Sequence, residues 1–168
     1  MDGIPDQPTL HDGDLRLRPA RLPDDISLAV PWYSDPEVMR FSEGDENATY
    51  DAGMIGKMYE YLAGLGELYI IELEGADAWV AIGDVTLAPD TTPLVIGVAE
   101  YRSRGYGKRV LRLLIGRARK LGWSQMRTKG IYTFNVRSRR LFEGLGFVQD
   151  GDVFNDEGID SIKYVLDL

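Results

Sequence analysis

The sequence predicts one domain of mixed structure, with either an α+β or a three-layer α/β architecture. The first observation is length, because a chain of 168 residues buries roughly 70% of its extended surface on folding and so forms a complete core. The second is that apolar residues recur with the period of strands in some segments and with the period of helices in others. The third is composition, since 44% hydrophobic and 27% charged residues are typical of a globular protein.

The first part of the chain predicts one strand and three helices after a loose tail. Residues 1–13 are rich in Pro, Gly and Asp and predict a flexible tail, which leaves residues 14–168 as a single domain. Residues 15–18 alternate with period two and predict a strand that ends at Pro19. Capping side chains predict helices from Asp24 and Asp25 to residue 30, from Ser34–Glu37 to residue 41, and from Thr49 to residue 63.

The second part predicts strands interrupted by two helices. Residues 67–73 and 78–87 predict a pair of strands, and the short apolar run 93–98 predicts a buried strand. A glycine-rich loop follows it. The remaining predicted elements are a helix over 106–121 with one apolar face, a strand over 125–131, a helix over 135–144 and two closing strands.

Composition excludes several kinds of site. The chain has no cysteine, which excludes thiol catalysis and disulfides, and His11 is its only histidine. A Ser-His-Asp triad or a multi-histidine metal site is therefore not expected. No apolar run approaches the roughly 18 residues of a membrane span, and the N-terminus lacks the features of a secretory signal. We therefore expect no metal, no membrane association and a cytoplasmic location.

Positive charge is concentrated in residues 101–140, which contain thirteen Lys or Arg and no Asp or Glu. The whole chain carries a formal charge of −8, so subtracting the +13 of this segment leaves −21 on the other 128 residues. Inside the segment, residues 102–108 read Arg-Ser-Arg-Gly-Tyr-Gly-Lys and lead directly into a predicted helix. Gly105 and Gly107 can adopt positive φ, and the N–H groups of such a turn and helix start bind anions. With Arg102, Arg104, Lys108 and Arg109 adding charge, this loop suits a pyrophosphate.

Two well-known phosphate motifs do not fit this loop. Arg102 and Arg109 occupy positions where a Walker A loop requires Gly and Ser or Thr. Val110 occupies the third glycine position of a dinucleotide fingerprint.

Two motifs instead resemble those of the GNAT superfamily of acyl-CoA-dependent N-acyltransferases. Arg102-x-x-Gly105-x-Gly107 resembles the signature Arg/Gln-x-x-Gly-x-Gly/Ala. Residues 135–147, Asn-Val-Arg-Ser-Arg-Arg-Leu-Phe-Glu-Gly-Leu-Gly-Phe, resemble the second motif, Asn-x-x-Ala/Ser-x-x-Leu-Tyr-Glu-x-Leu-Gly-Phe. Residues 15–19 and 32–38 resemble the start of the Rim-type branch, which includes ribosomal-protein N-terminal acetyltransferases. The resemblance implies a three-layer α/β/α fold with a mixed, mostly antiparallel sheet and two splayed central parallel strands.

The resemblance further implies that acetyl-CoA, as co-substrate, lies between the splayed strands 94–98 and 125–131. Backbone groups of Ile96 and Val98 would pair with the pantetheine arm, and the loop N–H groups would hold the pyrophosphate. Asn135 would bond the pantetheine or a water, and it would equally serve as a helix N-cap. The implied cofactor-binding residues are Ile96, Val98, Arg102, Ser103, Arg104, Gly105, Tyr106, Gly107, Lys108, Asn135, Ser138 and Phe142.

The motifs do not assign the acid and the base. An attacking lysine-like ammonium, with a pKa of about 10.4, must lose a proton, so a carboxylate is expected near the splayed strands. Many relatives have a Glu at the start of the strand before the loop, where this chain has Thr92. We place Asp84 first as the substitute, ahead of Glu72, Glu43 and Glu46. Relatives often have a Tyr where this chain has Phe142, and Tyr132 and Tyr106 are the nearby replacements for a proton donor to the departing thiolate.

The sequence therefore predicts an N-acetyltransferase that moves an acetyl group from acetyl-CoA to a primary amine, on a small cationic molecule or a protein N-terminus, by direct attack in a ternary complex. Glu43, Asp45 and Glu46 in the acidic loop are expected to bind a cationic acceptor. One alternative is a non-catalytic acyl-CoA-binding sensor. The other is a nucleic-acid-binding module using residues 101–140, which the charge of −8 disfavours. Dimers are common in the superfamily, so a homodimer is left open.

Overall fold

The computed structural model describes residues 6–168, and the predicted tail lies outside them over residues 1–5. The strands of the described part are β1 (Leu10–Asp12), β2 (Leu15–Pro19), β3 (Glu67–Glu74), β4 (Trp79–Leu87), β5 (Leu94–Ile96), β6 (Gln125–Arg127), β7 (Ile131–Tyr132), β8 (Val148–Gln149), β9 (Phe154–Asp156), β10 (Ile159–Ile162) and β11 (Tyr164–Asp167). The helices are α1 (Ile26–Ala29), α2 (Pro36–Glu43), α3 (Ala52–Leu65), α4 (Tyr106–Lys120) and α5 (Val136–Gly144). Single 3-10 turns cover Trp32–Ser34 and Ala99–Tyr101.

Five strands form one antiparallel sheet in the order β1-β2-β3-β4-β5. Two smaller antiparallel sheets, β7-β10-β9 and β6-β11-β8, contain the rest. The strands β5 and β6, predicted to splay apart, belong to different sheets. They are joined where β5 begins, because the buried Thr92 donates its Oγ1 hydroxyl to the Arg127 carbonyl over 3.0 Å. Beyond that joint, β5 and residues 128–132 line opposite parts of one cleft.

Two hydrophobic cores lie on opposite faces of the large sheet. On β3, Tyr69 and Ile71 pack in the core that contains the apolar face of α4, while Leu68 and Ile70 pack in the core that contains α3. Successive strand residues point to opposite faces, so a strand that is buried on both sides forms the middle of three layers. The predicted fold class, a mixed and mostly antiparallel sheet between helices, is confirmed.

The N-terminal prediction is wrong over residues 10–12. These residues form β1, which pairs with β2 in the register Leu10↔Leu17. Leu10 packs against the main core, and this apolar contact holds a segment whose Pro, Gly and Asp content predicted a loose tail.

Two other predictions differ in detail. Asp51 rather than Thr49 caps α3, because Asp51 Oδ1 accepts from the Met54 N–H over 2.8 Å. The strand predicted over 125–131 is broken between β6 and β7. A Cβ at Gly130, inside the break, would lie 3.0 Å from the Phe154 ring, so the backbone approaches that ring more closely than most residue types would permit. None of the helices within residues 6–168 combines the length and the apolar character that crossing a membrane requires.

Candidate active site

A cleft of about 880 Å³ lies between β5 and residues 128–132, which follow β6 and include β7, and residues of α2, α3 and α5 also line it. Most of the cofactor-binding residues predicted from the sequence line it, and these are Ile96, Arg102, Ser103, Gly105, Tyr106, Gly107, Lys108, Asn135, Ser138 and Phe142. Val98 and Arg104 are not among its lining residues.

The glycine loop ends at the first turn of α4. Gly105 is the N-cap, with a φ of 84°, and no side chain caps the helix. Ser103 also has a positive φ, of 58°. The first N–H groups of a helix have no acceptor within the helix, so those of residues 105–108 are available to a ligand, and the predicted pyrophosphate contact stays a prediction. Gly107 is helical instead of having positive φ. A Cβ there would lie 3.1 Å from Leu141 Cδ2, so Gly107 permits close packing between α4 and α5.

The outer edge of β5 faces the cleft. Gly97 donates its N–H to the Ile82 carbonyl of β4 over 2.7 Å. Because hydrogen-bonding groups alternate along a strand, the N–H and carbonyl of Ile96 point away from β4, where the carbonyl already accepts from Arg102 Nε over 2.9 Å. Val98 differs from the prediction, since its N–H also bonds the Ile82 carbonyl and its own carbonyl accepts from Tyr101 N–H. The N–H groups of Gly97 and Val98 thus share one carbonyl, which is the pattern of a β-bulge. The N–H and carbonyl of Val98, which the resemblance implies would pair with pantetheine, are therefore already bonded within the protein.

The guanidinium of Arg102 points away from the loop N–H groups. It bonds the carboxylates of Asp35 and Glu37 over 2.8 and 2.7 Å, and the carbonyls of Ile96 and Gly97 over 2.9 and 3.1 Å. The side chain is only 9% exposed. The expectation that this guanidinium adds its charge to an anion site is therefore wrong, because two carboxylates already neutralise it.

Arg109 is engaged in the same way. Its guanidinium bonds Asp12 over 2.8 Å and Asp14 over 2.7 Å, in the turn between β1 and β2. Lys108 lines the cleft and has no ion pair within the part of the chain that the structure describes. Of the four cations predicted at the loop, Arg104 and Lys108 have no ion pair among residues 6–168, and Lys108 is the one of these two that lines the cleft.

The second motif supplies one polar and one aromatic group. Asn135 caps α5, because its Oδ1 accepts from the Ser138 N–H over 3.2 Å, and the predicted N-cap is confirmed. Phe142 is buried with its ring edge-on against Phe147, at 5.0 Å between centroids. Phe142 thus anchors α5 to the core.

Asp84 lies on β4 opposite Val95 of β5, and it lines the cleft with only 2% of the residue exposed. Its Oδ2 accepts from two phenols, Tyr33 over 2.8 Å and Tyr59 over 2.7 Å. Burial raises the pKa of Asp84 to about 6, while the bonds from Tyr59 and Tyr33 act in the opposite direction. Both phenols occupy Oδ2, so Oδ1 has no recorded partner within residues 6–168. The sequence did not indicate these two tyrosines, because they lie 51 and 25 positions before Asp84.

A second polar group lines the cleft on the side of α2 and β9. Tyr132 stacks on Phe134 at 5.4 Å, and burial raises the pKa of its phenol, with the carboxylates of Asp156 and Glu43 adding to the effect. Burial also raises the pKa of Glu43, while a hydrogen bond from Tyr50 lowers it. Glu43 and Asp156 both line the cleft. Asp156 was not selected from the sequence.

The other two acids of the predicted acceptor loop do not line the cleft. Asp45 accepts from the Asn47 N–H over 2.9 Å and so closes a turn at the surface. Glu46 is exposed. Of the three acids expected to bind an acceptor, the structure brings only Glu43 to the cleft.

The profile of the acetyltransferase (GNAT) domain family matches residues 14–148. This chain belongs to the GNAT acetyltransferase family. The match confirms the predicted enzyme class, an acyl-CoA-dependent acetyltransferase, with acetyl-CoA as the co-substrate. The groups of this GNAT acetyltransferase that could hold that molecule are the uncapped N–H groups at the start of α4, Lys108 and the outer edge of β5.

Solved structures of acetyltransferases share the fold. Spermidine N-acetyltransferase from Vibrio cholerae, in complex with CoA and spermine, has a TM-score of 0.73 at 15% identity, covering 92% of this chain and 96% of that one. An aminoglycoside acetyltransferase with coenzyme A and kanamycin has a TM-score of 0.75 at 16% identity, covering 91% and 94%. A ribosomal L7/L12 α-N-protein acetyltransferase (RimL) with coenzyme A has a TM-score of 0.77 at 13% identity, covering 96% and 98%. No protein of curated function matches the GNAT chain.

Proposed function

We propose that this GNAT acetyltransferase transfers the acetyl group of acetyl-CoA directly to a primary amine, with Asp84 as the base. The observation that carries the proposal is a buried carboxylate in the cleft, beside the strand along which the co-substrate would lie. Oδ2 is held by two phenols, which fixes the carboxylate and leaves Oδ1 to take a proton. With a pKa of about 6, the carboxylate is charged at neutral pH and remains more basic than an ordinary aspartate.

The step is a nucleophilic substitution at the thioester carbon. The acceptor reacts as the neutral amine, after its ammonium has released one proton to solvent. The amine lone pair forms the N–C bond, the nitrogen gives a second proton to Asp84 Oδ1, and the C–S bond breaks with its electron pair remaining on sulfur. The backbone of β5 and the loop N–H groups hold the cofactor, and Lys108 faces its phosphates. The products are the N-acetyl amine and CoA.

Departure of the thiolate does not require a proton at once. Phe142 carries no donor, but a thiol of pKa about 8.5 leaves tolerably as the thiolate. Tyr132 has a raised pKa, so it stays protonated at neutral pH. We assign it the role of a hydrogen-bond donor to the departing sulfur.

The acceptor in this proposal is a cationic amine, either a small molecule or a protein N-terminus. Glu43 and Asp156 line the cleft together with aromatic rings, and negative groups beside aromatic faces favour cations. Spermine and kanamycin in the structures of similar fold are molecules of this kind. Two observations support membership of the Rim-type branch. Residues 15–19 and 32–38 resemble the start of that branch, and the L7/L12 acetyltransferase shares the fold of this chain.

The test is thiol release from acetyl-CoA with a panel of amines of increasing positive charge. We expect turnover on cationic amines and a fall of about a hundredfold or more in kcat for Asp84→Asn, the scale of losing a general base. The affinity for CoA, measured by calorimetry, should stay unchanged in that variant. CoA binding without turnover on any amine would support the sensor alternative instead.

A further inference from the structure

Arg102 is the first residue of the cofactor motif, yet its side chain binds only protein groups. All four of its recorded bonds go to Asp35 and Glu37 of the α2 start and to the carbonyls of Ile96 and Gly97 at the end of β5. A guanidinium provides five N–H donors in a planar fork. These bonds join the start of a helix to the end of a strand. The helix residues and the strand residues that Arg102 contacts are 59 or more positions apart in sequence.

The helix that Arg102 joins to β5 is α2, and we call its cleft-lining residues Val38, Phe41 and Glu43 the acceptor wall. Asp35 is the N-cap of α2, because its Oδ1 accepts from the Glu37 N–H over 2.9 Å while its Oδ2 bonds Arg102. Further along α2, Val38, Phe41 and Glu43 line the cleft. The orientation of these side chains therefore depends on a carboxylate that Arg102 holds.

The same helix is also joined to the second cofactor motif. Glu37 uses Oε2 for Arg102 and Oε1 for Arg137 of α5, over 2.7 and 2.9 Å. One glutamate thus bridges the start of the glycine loop and the helix that Asn135 caps. A ligand that orders the loop and α5 would order α2 with them.

The backbone just after β5, at Gly97, also packs against Trp32. A Cβ at Gly97 would overlap the Trp32 ring, so the strand backbone packs directly on an aromatic residue that lies just before α2. Arg102 bonds the carbonyl of the same Gly97. The β-bulge therefore lies between Trp32 and Arg102, both of which contact the α2 region.

We propose that Arg102 is a positioning residue, which couples cofactor binding in the loop to the geometry of the acceptor wall on α2. This inference rests on the proposed function, because the acceptor wall has a role only if an acceptor binds there. It assigns Arg102 no contact with the phosphates. Binding of CoA then rigidifies α2 through the Arg102–Asp35–Glu37–Arg137 network, and the acceptor site becomes complete in the loaded enzyme.

The decisive variant is Asp35→Asn combined with Glu37→Gln. Asn is a good N-cap, so α2 keeps its cap while Arg102 loses both countercharges. If Arg102 acted on the pyrophosphate, freeing its charge would tighten CoA binding. If it positions α2, we expect CoA affinity to stay within about threefold while KM for the acceptor rises about tenfold.

Two single variants complete the set. Arg102→Gln removes the same network from the other side, and we expect it to raise acceptor KM in the same way. Lys108→Gln is the matched control, because Lys108 lines the cleft without an ion pair in the described chain. It should weaken CoA binding by about tenfold, the scale of one charge-assisted contact, and leave acceptor KM unchanged.

Hydrogen exchange of the α2 amides provides a readout that needs no turnover. We expect CoA to slow exchange across residues 37–43 in the natural chain and to have no such effect in the Asp35→Asn, Glu37→Gln variant. A natural chain that binds CoA without protecting α2, or a double variant that binds CoA about tenfold more tightly, would overturn the inference. A chain that binds no CoA at all would instead refute the proposed function.

Discussion

Asp84 is a carboxylate that the fold buries without a cation beside it. Its partners are phenols, which donate hydrogen bonds and carry no charge. The folded chain therefore binds the Asp84 proton more tightly than the unfolded chain does, with a pKa of about 6 against 3.8. Because the folded-state pKa is the higher one, stability falls as pH rises between about 4 and 6 and the full cost applies above that range. The difference corresponds to about 3 kcal/mol at neutral pH.

Replacement of Asp84 by Asn should therefore relieve a pH-dependent cost. Asn has nearly the same shape, and its carbonyl oxygen still accepts from the phenols. We expect the free energy of unfolding of Asp84→Asn, relative to the natural chain, to be about 2.5 kcal/mol higher at pH 7.5 than at pH 4. Urea unfolding of both proteins at the two pH values measures it, and a difference independent of pH would contradict the assignment.

The two phenols should set the pH at which catalysis begins. The bonds from Tyr59 and Tyr33 lower the pKa of Asp84. In the natural chain we expect the acidic limb of the kcat/KM profile near pH 6. Loss of one bond in Tyr59→Phe should raise the pKa of Asp84 and move that limb to higher pH. Tyr61→Phe is the matched control, because Tyr61 lies on the same helix and lines the cleft but has no recorded bond to Asp84. A limb that does not move in Tyr59→Phe would show that the carboxylate titrates independently of the phenol.

Among the elements, α4 depends on one residue with left-handed backbone. Gly105 has a φ of 84° and no heavy atom within 4 Å of the position of an added Cβ, so Gly105→Ala tests conformation without a clash. We expect it to lower the free energy of unfolding by about 1 kcal/mol and to weaken CoA binding several-fold, since the loop N–H groups would turn. Calorimetry with CoA and urea unfolding measure the two effects.

Gly116→Ala is the control for that change. Gly116 lies within α4, its added Cβ also meets no atom within 4 Å, and its backbone is helical. Ala is the better helix former by up to about 1 kcal/mol. The control should therefore stabilise the chain and leave CoA affinity unchanged. Equal loss of CoA affinity in both variants would mean that α4 as a whole, and not the loop, was disturbed.

The elements also show how far the sequence determines this fold. Hydrophobic period predicted β3, β4 and α4 to within two residues at each end, because their apolar faces are long. It could not predict β1, whose burial comes from pairing with β2. In the site, the spacing of the glycine motif identified the loop at residues 102–108. The alternation of backbone groups along β5 explains why those of Ile96 point away from β4. The roles of Arg102 and the phenol partners of Asp84 depend on contacts between residues at least 25 positions apart, and no local pattern records such contacts.

Over the whole molecule, the segregation of charge along the sequence is partly cancelled in space. Of the thirteen cations in residues 101–140, five form ion pairs with acids of other segments within residues 6–168, and these are Arg102, Arg109, Arg117, Arg127 and Arg137. A surface for nucleic acid requires free cations along one face. The pairing removes these five cations from such a surface, and the acidic net charge disfavours that alternative further. The net charge of −8 is unchanged by this pairing, and its electric field attracts cations over a distance.

That field should make acceptor capture depend on salt. The screening length falls from about 30 Å at 0.01 M to about 8 Å at 0.15 M ionic strength, so kcat/KM for a dicationic amine should fall several-fold over this range. A monoamine with a neutral remote end, assayed at saturating acetyl-CoA, should show a clearly smaller decrease. Equal slopes for the two amines would contradict steering by the acidic surface.

The buried carboxylate of Asp84 has an evolutionary consequence. A chain that had lost its acceptor and only sensed CoA would be under no selection to keep a charge whose burial weakens the fold, and one nucleotide change converts an Asp codon to an Asn codon. Drift would remove such a group early in a lineage that had stopped catalysing. Its presence, held by two phenols in the cleft proposed for acetyl-CoA, favours a lineage still selected for turnover.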